Sequence, residues 1–204
     1  MPSKQHSAET SAPIVVAPYD PSWPAKFESE KQLLARALAE WIAGPIEHVG
    51  STSVPGLAAK PVIDIMVAVE SLDASRPAIS AAAQAGYIYW PYKADVMHWF
   101  CKPSDAHRTH HLHLVPYHSR LWQARLQFRD ALRADPKLAE EYAQLKFRLA
   151  ERHRHDREAY TQSKSGFVQR VLSSIDFAQS EETGKIIWRE DETRWIAPIS
   201  LCFE

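Results

Sequence analysis

Hydrophobic and polar positions fall along this chain in two periods, one typical of strands and one typical of helices. Residues 62–69 form a short run rich in Val and Ile, as buried strands do. Residues 109–115 alternate polar and apolar side chains, which predicts a further strand. Apolar side chains recur at helical spacing over residues 23–41. The same spacing returns in three later segments: residues 119–134, 136–149 and 163–178. The pattern predicts an α/β (α+β) domain, with a mixed sheet, helices on one face and a C-terminal helical subdomain.

The ends of the chain differ in composition from its middle. Residues 1–13 are polar and are expected to be disordered. Residues 14–178 hold the periodic segments and are expected to form one domain. We interpret residues 179–204 as a tail that forms either short strands or a partner-binding arm. This tail is also the candidate contact for a homo-oligomer.

Composition limits the class of partner. The 204 residues carry a formal net charge of −1, so no long-range field gathers nucleic acid or anionic membrane. This disfavours nucleic acid as the main partner. Two cysteines, no apolar run of membrane-spanning length and a polar start of the chain predict a cytoplasmic protein with no membrane association.

Asp64 interrupts the apolar run at 62–69. Side chains alternate along a strand, so Asp64 and Met66 share one face, while Ile63 and Ile65 lie on the other. Burying a lone carboxylate is costly unless a charge or a metal ion compensates it. Asp64 is therefore expected to be either paired or functional.

A turn of small, hydroxyl-bearing residues precedes this strand, and its members are Gly50, Ser51, Thr52 and Ser53. Small residues let an anion approach backbone N–H groups, which predicts a phosphate-binding turn. Lys60 follows, where its ammonium group would either neutralise a phosphate or pair with Asp64. The competing interpretation is that the hydroxyl groups only cap the local backbone.

Two histidines share a face of the strand at 109–115. His111 and His113 point one way, while Leu112 and Leu114 point towards an expected helix-covered core, which would leave the histidines on the open side of the sheet. If this strand neighbours the Asp64 strand, Asp64, His111 and His113 form a ligand set for a divalent metal ion. Such a set suits a transition metal such as Zn²⁺ or Mn²⁺ better than Mg²⁺. The alternative is a pair of imidazoles hydrogen-bonded at a polar surface.

Residues 50–65, with the sequence GSTSVPGLAAKPVIDI, resemble the pattern of the GrpB family, an uncharacterised family with a nucleotidyltransferase-like fold. The resemblance covers about residues 14–178. It continues at Phe128, Arg129, Asp130, Leu132, Arg133, Asp135, Pro136, Tyr142, Leu145, Lys146, Tyr160 and Lys164. Nucleotidyltransferases carry a Gly-Ser turn followed by a strand with two carboxylates two residues apart. This chain has Met66 at the second carboxylate position.

The resemblance implies a metal-dependent nucleotidyltransferase-type enzyme acting on a nucleotide or another phosphorylated small molecule, with a nucleoside triphosphate as one candidate substrate. Asp64 and Lys60 would be catalytic. The phosphate would be bound by the turn, by Lys60 and by Arg129, although Arg129 is also placed to pair with Asp130. Met66 keeps two alternatives open: different metal chemistry such as hydrolysis, and a non-catalytic ligand-binding or accessory module on the same scaffold.

Overall fold

A computed structural model describes residues 13–183. The expected disorder at 1–12 and the expected strands or arm in the tail beyond 183 lie outside the described residues. Within residues 13–183, no helix is long and apolar enough to cross a membrane.

The described chain contains one five-stranded mixed sheet. Its strands are β1 (Ile42–Val49), β2 (Ile63–Val69), β3 (Ile88–Trp90), β4 (His98–Pro103) and β5 (Arg108–Pro116). The strand order across the sheet is β1-β2-β5-β4-β3. β2 and β5 run parallel, and the other neighbouring pairs are antiparallel. The sequence-based prediction of a mixed α/β domain is confirmed.

β2 lies inside the sheet, and all seven of its residues are buried. Ile63, Ile65 and Val67 point to a face covered by α1 (Trp23–Ala37) and α2 (Ala78–Gln84). Leu112 of β5 joins the same hydrophobic cluster. The apolar half of the β2 alternation thus forms the main core of the sheet.

The opposite face of the sheet is also covered. Trp122, on α3 (Arg120–Ala134), belongs to a second cluster with Met66, Ala68 and Val115. The predicted helix-covered face is the one under α1 and α2, and the C-terminal part of the chain packs through α3 against the other face, which carries Asp64. His111 and His113 do not reach an open surface, since both are at most 1% exposed.

The remaining helices are α4 (Pro136–Arg152), α5 (Arg157–Gln162) and α6 (Ser165–Thr183). α3, α4 and α6 share a cluster that includes Phe128, Tyr142 and Val168, and Val54 and Leu57 from the sheet side join it. α4 ends at Arg152, and Asp156 caps the start of α5. The C-terminal helices thus lie against the segment that follows the Gly50–Ser53 turn.

Candidate functional site

The parallel register of β2 and β5 brings the predicted carboxylate and imidazoles together. Asp64 pairs with His111 across the two strands, and Met66 pairs with His113. His111 Nδ1 lies 2.9 Å from Asp64 Oδ1, and His113 Nε2 lies 3.7 Å from the same oxygen. All three side chains are buried. They therefore form one compact cluster beneath the C-terminal helices.

The cluster holds a buried negative charge. Burial raises the pKa of the Asp64 carboxyl, but the two imidazoles outweigh this effect and bring that pKa to about 2. Burial and the charge of Arg125 lower the pKa of His113 to about 4, although Asp64 opposes this shift. At neutral pH, Asp64 is ionised and His113 is neutral. Because an ionised carboxylate only accepts hydrogen bonds, His111 donates its Nδ1–H to Asp64.

Gly50 lies directly against the Asp64 carboxylate. Its φ angle is +70°, a conformation that favours glycine, and a Cβ atom there would lie 2.3 Å from Asp64 Oδ2. The turn and the carboxylate therefore touch only because residue 50 has no side chain.

The turn continues as a short 3₁₀ helix, Ser51–Ser53. Much of its hydrogen-bonding capacity is used locally, because the Ser53 N–H and Oγ–H both donate to the Gly50 carbonyl. Thr52 Oγ1 donates to the Val62 carbonyl at 3.1 Å, and His48 Nε2 lies 3.0 Å from the same hydroxyl. Fewer backbone N–H groups of the turn can therefore bind an anion than the sequence predicts, since the Ser53 and Val54 N–H groups both donate to carbonyls within the turn.

A small cavity of about 10 Å³ lies between the turn and the C-terminal helices. We call it the Asp64 cavity, and its lining residues are Ser51, Thr52, Lys60, Val62, Asp64, Lys146 and Tyr160. Its volume is roughly that of one water molecule. The structure therefore brings four predicted site residues together around one space.

Two lysines that the sequence analysis did not assign to the site lie buried beside this cavity. Lys146 on α4 is 2% exposed, and Lys164 is 1% exposed. Lys146 Nζ donates to the Ala58 carbonyl and lies 4.8 Å from the centre of the Tyr142 ring. Lys60 Nζ and Lys164 Nζ lie 5.5 Å and 4.4 Å from the centre of the Tyr160 ring. Lys60 and Lys146 thus line the cavity, and Lys164 lies behind it against the Tyr160 ring.

Ser53 and Arg129 lie elsewhere. They line a larger groove of about 590 Å³, which we call the Arg133 groove; its lining residues are Tyr19, Pro24, Phe27, Glu28, Lys31, Pro45, Ile46, Glu47, His48, Ser53, Pro55, Arg129 and Arg133. Arg129 Nη1 donates to Glu47 at 2.7 Å, and Arg129 Nε donates to Asp130 at the same distance. The structure therefore does not place Arg129 in the Asp64 cavity with Lys60.

The decisive comparison is with protein families. A family model described as GrpB protein matches residues 13–174, which is most of the chain. This chain belongs to the GrpB family. The family resemblance inferred from residues 50–65 is thereby confirmed.

Other GrpB-family proteins resemble this chain over most of its length. It is 35% identical to the glutamate-rich protein GrpB of Alkalihalophilus pseudofirmus, over 79% of this chain and 95% of that protein. It is 41% identical to a UPF0157 protein of Pseudomonas aeruginosa, over 78% of this chain and 66% of that protein. The crystal structure of a conserved protein GrpB from Enterococcus faecalis matches with a TM-score of 0.71 and 33% identity, covering 78% of this chain and 96% of that one.

The predicted metal site of this GrpB-family chain has the right residue types but not a suitable arrangement. A metal ion needs its ligand atoms aimed at one point, whereas His111 Nδ1 is hydrogen-bonded to Asp64 Oδ1. Across residues 13–183, no group of three or more His, Cys, Asp or Glu side chains is arranged to hold a metal ion. Met66, where a second carboxylate was expected, is buried among apolar side chains.

The family chain also shows why the two buried lysines escaped the sequence analysis. A lysine on a helix is usually solvent-exposed, and its type alone predicts nothing else. The available signal was position, because Lys146 falls between Tyr142, Leu145 and Leu149 on the apolar stripe of α4. A charged residue inside an apolar stripe marks a buried charge.

Proposed function

We propose that this GrpB-family protein binds a nucleotide or another phosphorylated small molecule at the Asp64 cavity and catalyses a nucleotidyltransferase-type reaction on it. One observation supports this best: Ser51, Thr52, Lys60 and Asp64 line a single cavity. Hydroxyl and ammonium groups bind phosphate oxygens, and an ionised carboxylate beside them accepts a hydrogen bond from an attacking hydroxyl.

In this reaction the acceptor hydroxyl attacks the α-phosphorus of a nucleoside triphosphate. A new oxygen–phosphorus bond forms, the bond to the β-phosphate bridging oxygen breaks, and pyrophosphate leaves. The ionised Asp64 accepts a hydrogen bond from the hydroxyl and orients it, and the hydroxyl proton passes to solvent as the new bond forms. Lys60 offsets the negative charge of the phosphates. We assign no step to a metal ion, because the Asp64 and His111 side chains are hydrogen-bonded to each other.

A nucleotide titration tests the binding part of the proposal. Isothermal titration of the full chain with ATP is expected to show binding, and Lys60→Met is expected to weaken it by about tenfold because one charge-assisted contact is lost. Lys26→Met is the matched control, since Lys26 pairs with Asp20 on the surface and is about half exposed. Absence of binding by ATP and by other phosphorylated small molecules would contradict the proposal.

Pyrophosphate release tests the catalytic part. Asp64→Asn is expected to keep nucleotide binding and to lose release of pyrophosphate, because the neutral amide lacks the charge that orients the attacking hydroxyl. Repeating the titration with Mn²⁺ and with Zn²⁺ tests the predicted transition-metal site. Stoichiometric metal binding that Asp64→Asn abolishes is the expected outcome if that prediction is right.

Met66 favours a second candidate function. Because its side chain is buried where a second carboxylate was expected, the scaffold is also consistent with a non-catalytic module that only binds its ligand. Such a module would bind ATP without releasing pyrophosphate in the presence of any acceptor, whereas an enzyme would release it.

A further inference from the structure

The burial of Lys146 is the least expected electrostatic feature of the described chain. Its ammonium group lies beneath the C-terminal helices, and it contacts the Ala58 carbonyl and the Tyr142 ring. Among the side chains described over residues 13–175, Lys146 has no carboxylate partner within ion-pair distance. A buried charge without an opposite charge is costly to the fold.

The hydrogen-bonding capacity of Lys146 is also incompletely used. An ammonium group has three N–H donors, and the Ala58 carbonyl accepts one of them. The Tyr142 ring contributes an attraction to the cation rather than a hydrogen-bond acceptor lone pair. Since Lys146 lines the Asp64 cavity, its remaining donors are available to a ligand in that cavity.

A second buried cation lies close by. Lys164 precedes α6, and its charge is felt at Lys146. Both lysines come from the helical half of the chain, whereas Ser51, Thr52 and Lys60 come from the sheet half. The cavity is therefore lined by hydroxyl and ammonium groups from two separate parts of the fold, together with the Asp64 carboxylate.

We propose that Lys146, supported by the charge of Lys164, is a phosphate-binding residue of the Asp64 cavity and selects a phosphate dianion over a singly charged anion. This inference rests on the proposed function and adds the helical subdomain to the binding site. Two neighbouring ammonium groups attract a phosphate dianion more strongly than they attract a singly charged carboxylate. Lysine binds phosphate through its point charge.

The proposal also predicts a proton linkage. Burial, and then the charge of Lys164, lower the pKa of Lys146 well below its usual value. The other titratable groups around Lys146 are Tyr142, Tyr160, Lys60 and Asp64. An anion beside Lys146 raises its pKa, so binding takes up a proton, and affinity falls as pH rises between the two pKa values.

The test uses inorganic phosphate as the probe, with acetate as the singly charged comparison. The full chain is titrated calorimetrically at several pH values above 8, where inorganic phosphate is mainly dianionic because it loses its second proton near neutral pH. Two buffers of different ionisation enthalpy count the protons taken up. Lys146→Met is compared with Lys137→Met, an exposed lysine on the same helix.

The wild-type chain and Lys137→Met are expected to bind phosphate with proton uptake and to bind acetate more weakly. Lys146→Met is expected to lose at least about tenfold in phosphate affinity and to lose the proton uptake. Methionine matches the length of lysine without its charge, so the variant is expected to fold. If it does not fold, the proton count and the pH dependence of the wild-type chain decide the question alone.

Three results would overturn the proposal. Lys146→Met binding ATP and phosphate as tightly as the wild-type chain would remove Lys146 from the site and leave the proposed function standing. Wild-type binding without proton uptake and with equal affinity at every pH would do the same. Absence of binding of both ATP and phosphate by the wild-type chain would refute the proposed function and this inference together.

Discussion

At the scale of single residues, Gly50 shows how backbone conformation and site chemistry depend on each other. Its left-handed φ places the Ser51–Ser53 turn against the strand that carries Asp64. The absence of a side chain lets Asp64 Oδ2 approach the backbone closely. The glycine thus sets the distance between the anion-binding turn and the carboxylate.

Gly50→Ala is expected to be strongly destabilising, whereas Gly56→Ala is its matched control. The φ angle is +70° at Gly50 and +78° at Gly56, but a Cβ atom at Gly56 would have no neighbour within 4 Å. Gly56→Ala is expected to cost about 1–2 kcal/mol from backbone conformation alone. Gly50→Ala adds the clash with Asp64, so we expect a further loss of about 1–3 kcal/mol. Urea unfolding measures both, and equal losses would show that the contact with Asp64 does not matter.

Two buried histidines predict that the protein loses stability in mild acid. The folded-state pKa values of His48 and His113 are both about 4, lowered first by burial, whereas unfolded histidine titrates near 6.5. The unfolded chain therefore binds more protons between these values. The contribution to the free energy of unfolding is present above pH 6.5 and is lost as pH falls towards 4, by up to about 3 kcal/mol for each imidazole.

Urea unfolding between pH 7 and pH 4.5 measures this loss. His113→Gln is expected to flatten the pH dependence, because glutamine does not titrate, whereas His107→Asn at an exposed position is expected to leave it unchanged. An unchanged slope in His113→Gln would show that His113 is not held neutral. Asp64 acts in a lower window, between its unfolded pKa of 3.8 and about 2.

At the scale of elements, the sequence pattern predicted strand and helix segments better than the packing between them. The two-residue period of a strand fixes which side chains share a face, so the common side of Asp64, His111 and His113 followed from sequence. The sequence did not predict that a helix covers this face, because the cover depends on how α3 packs through Trp122. Nor did the burial of Lys146, since a helical period gives direction but not the identity of the packing partner.

The N-terminus of α4 carries a side-chain cap whose contribution to stability can be measured. Asp135 is the N-cap of this helix, and its carboxylate accepts hydrogen bonds from the Lys137 and Leu138 N–H groups at 2.8 and 3.2 Å. Asp135→Ala is expected to lower the free energy of unfolding by about 1 kcal/mol. Asp95→Ala, at an exposed loop position, is the control and is expected to change it by less than about 0.5 kcal/mol. Equal effects of the two would argue against the cap.

At the scale of the whole molecule, the Asp64 cavity is too small for the ligand proposed for it. A space of about 10 Å³ holds one water molecule and not a phosphate group. Lys146 and Tyr160 close it from the helical side, and Ser51 and Asp64 close it from the sheet side. Ligand binding therefore requires the C-terminal helices to move away from the turn, or the partly exposed Lys60 to swing outwards.

Hydrogen exchange tests this requirement. Saturating ATP is expected to change amide protection in α4 and α5, which carry Lys146 and Tyr160, and to leave α2 on the opposite face of the sheet unchanged. The physical reason is that the helical subdomain must repack around the phosphate. Uniform protection across all helices, or a change confined to α1 and the Arg133 groove, would place the ligand elsewhere.

A crystal structure of the full chain with bound ATP tests the central claim most directly. We predict a phosphate group in contact with Ser51 and within about 3 Å of the Lys146 ammonium group, in an enlarged Asp64 cavity. Phosphate density confined to the Arg133 groove, with the Asp64 cavity still closed, would contradict the account.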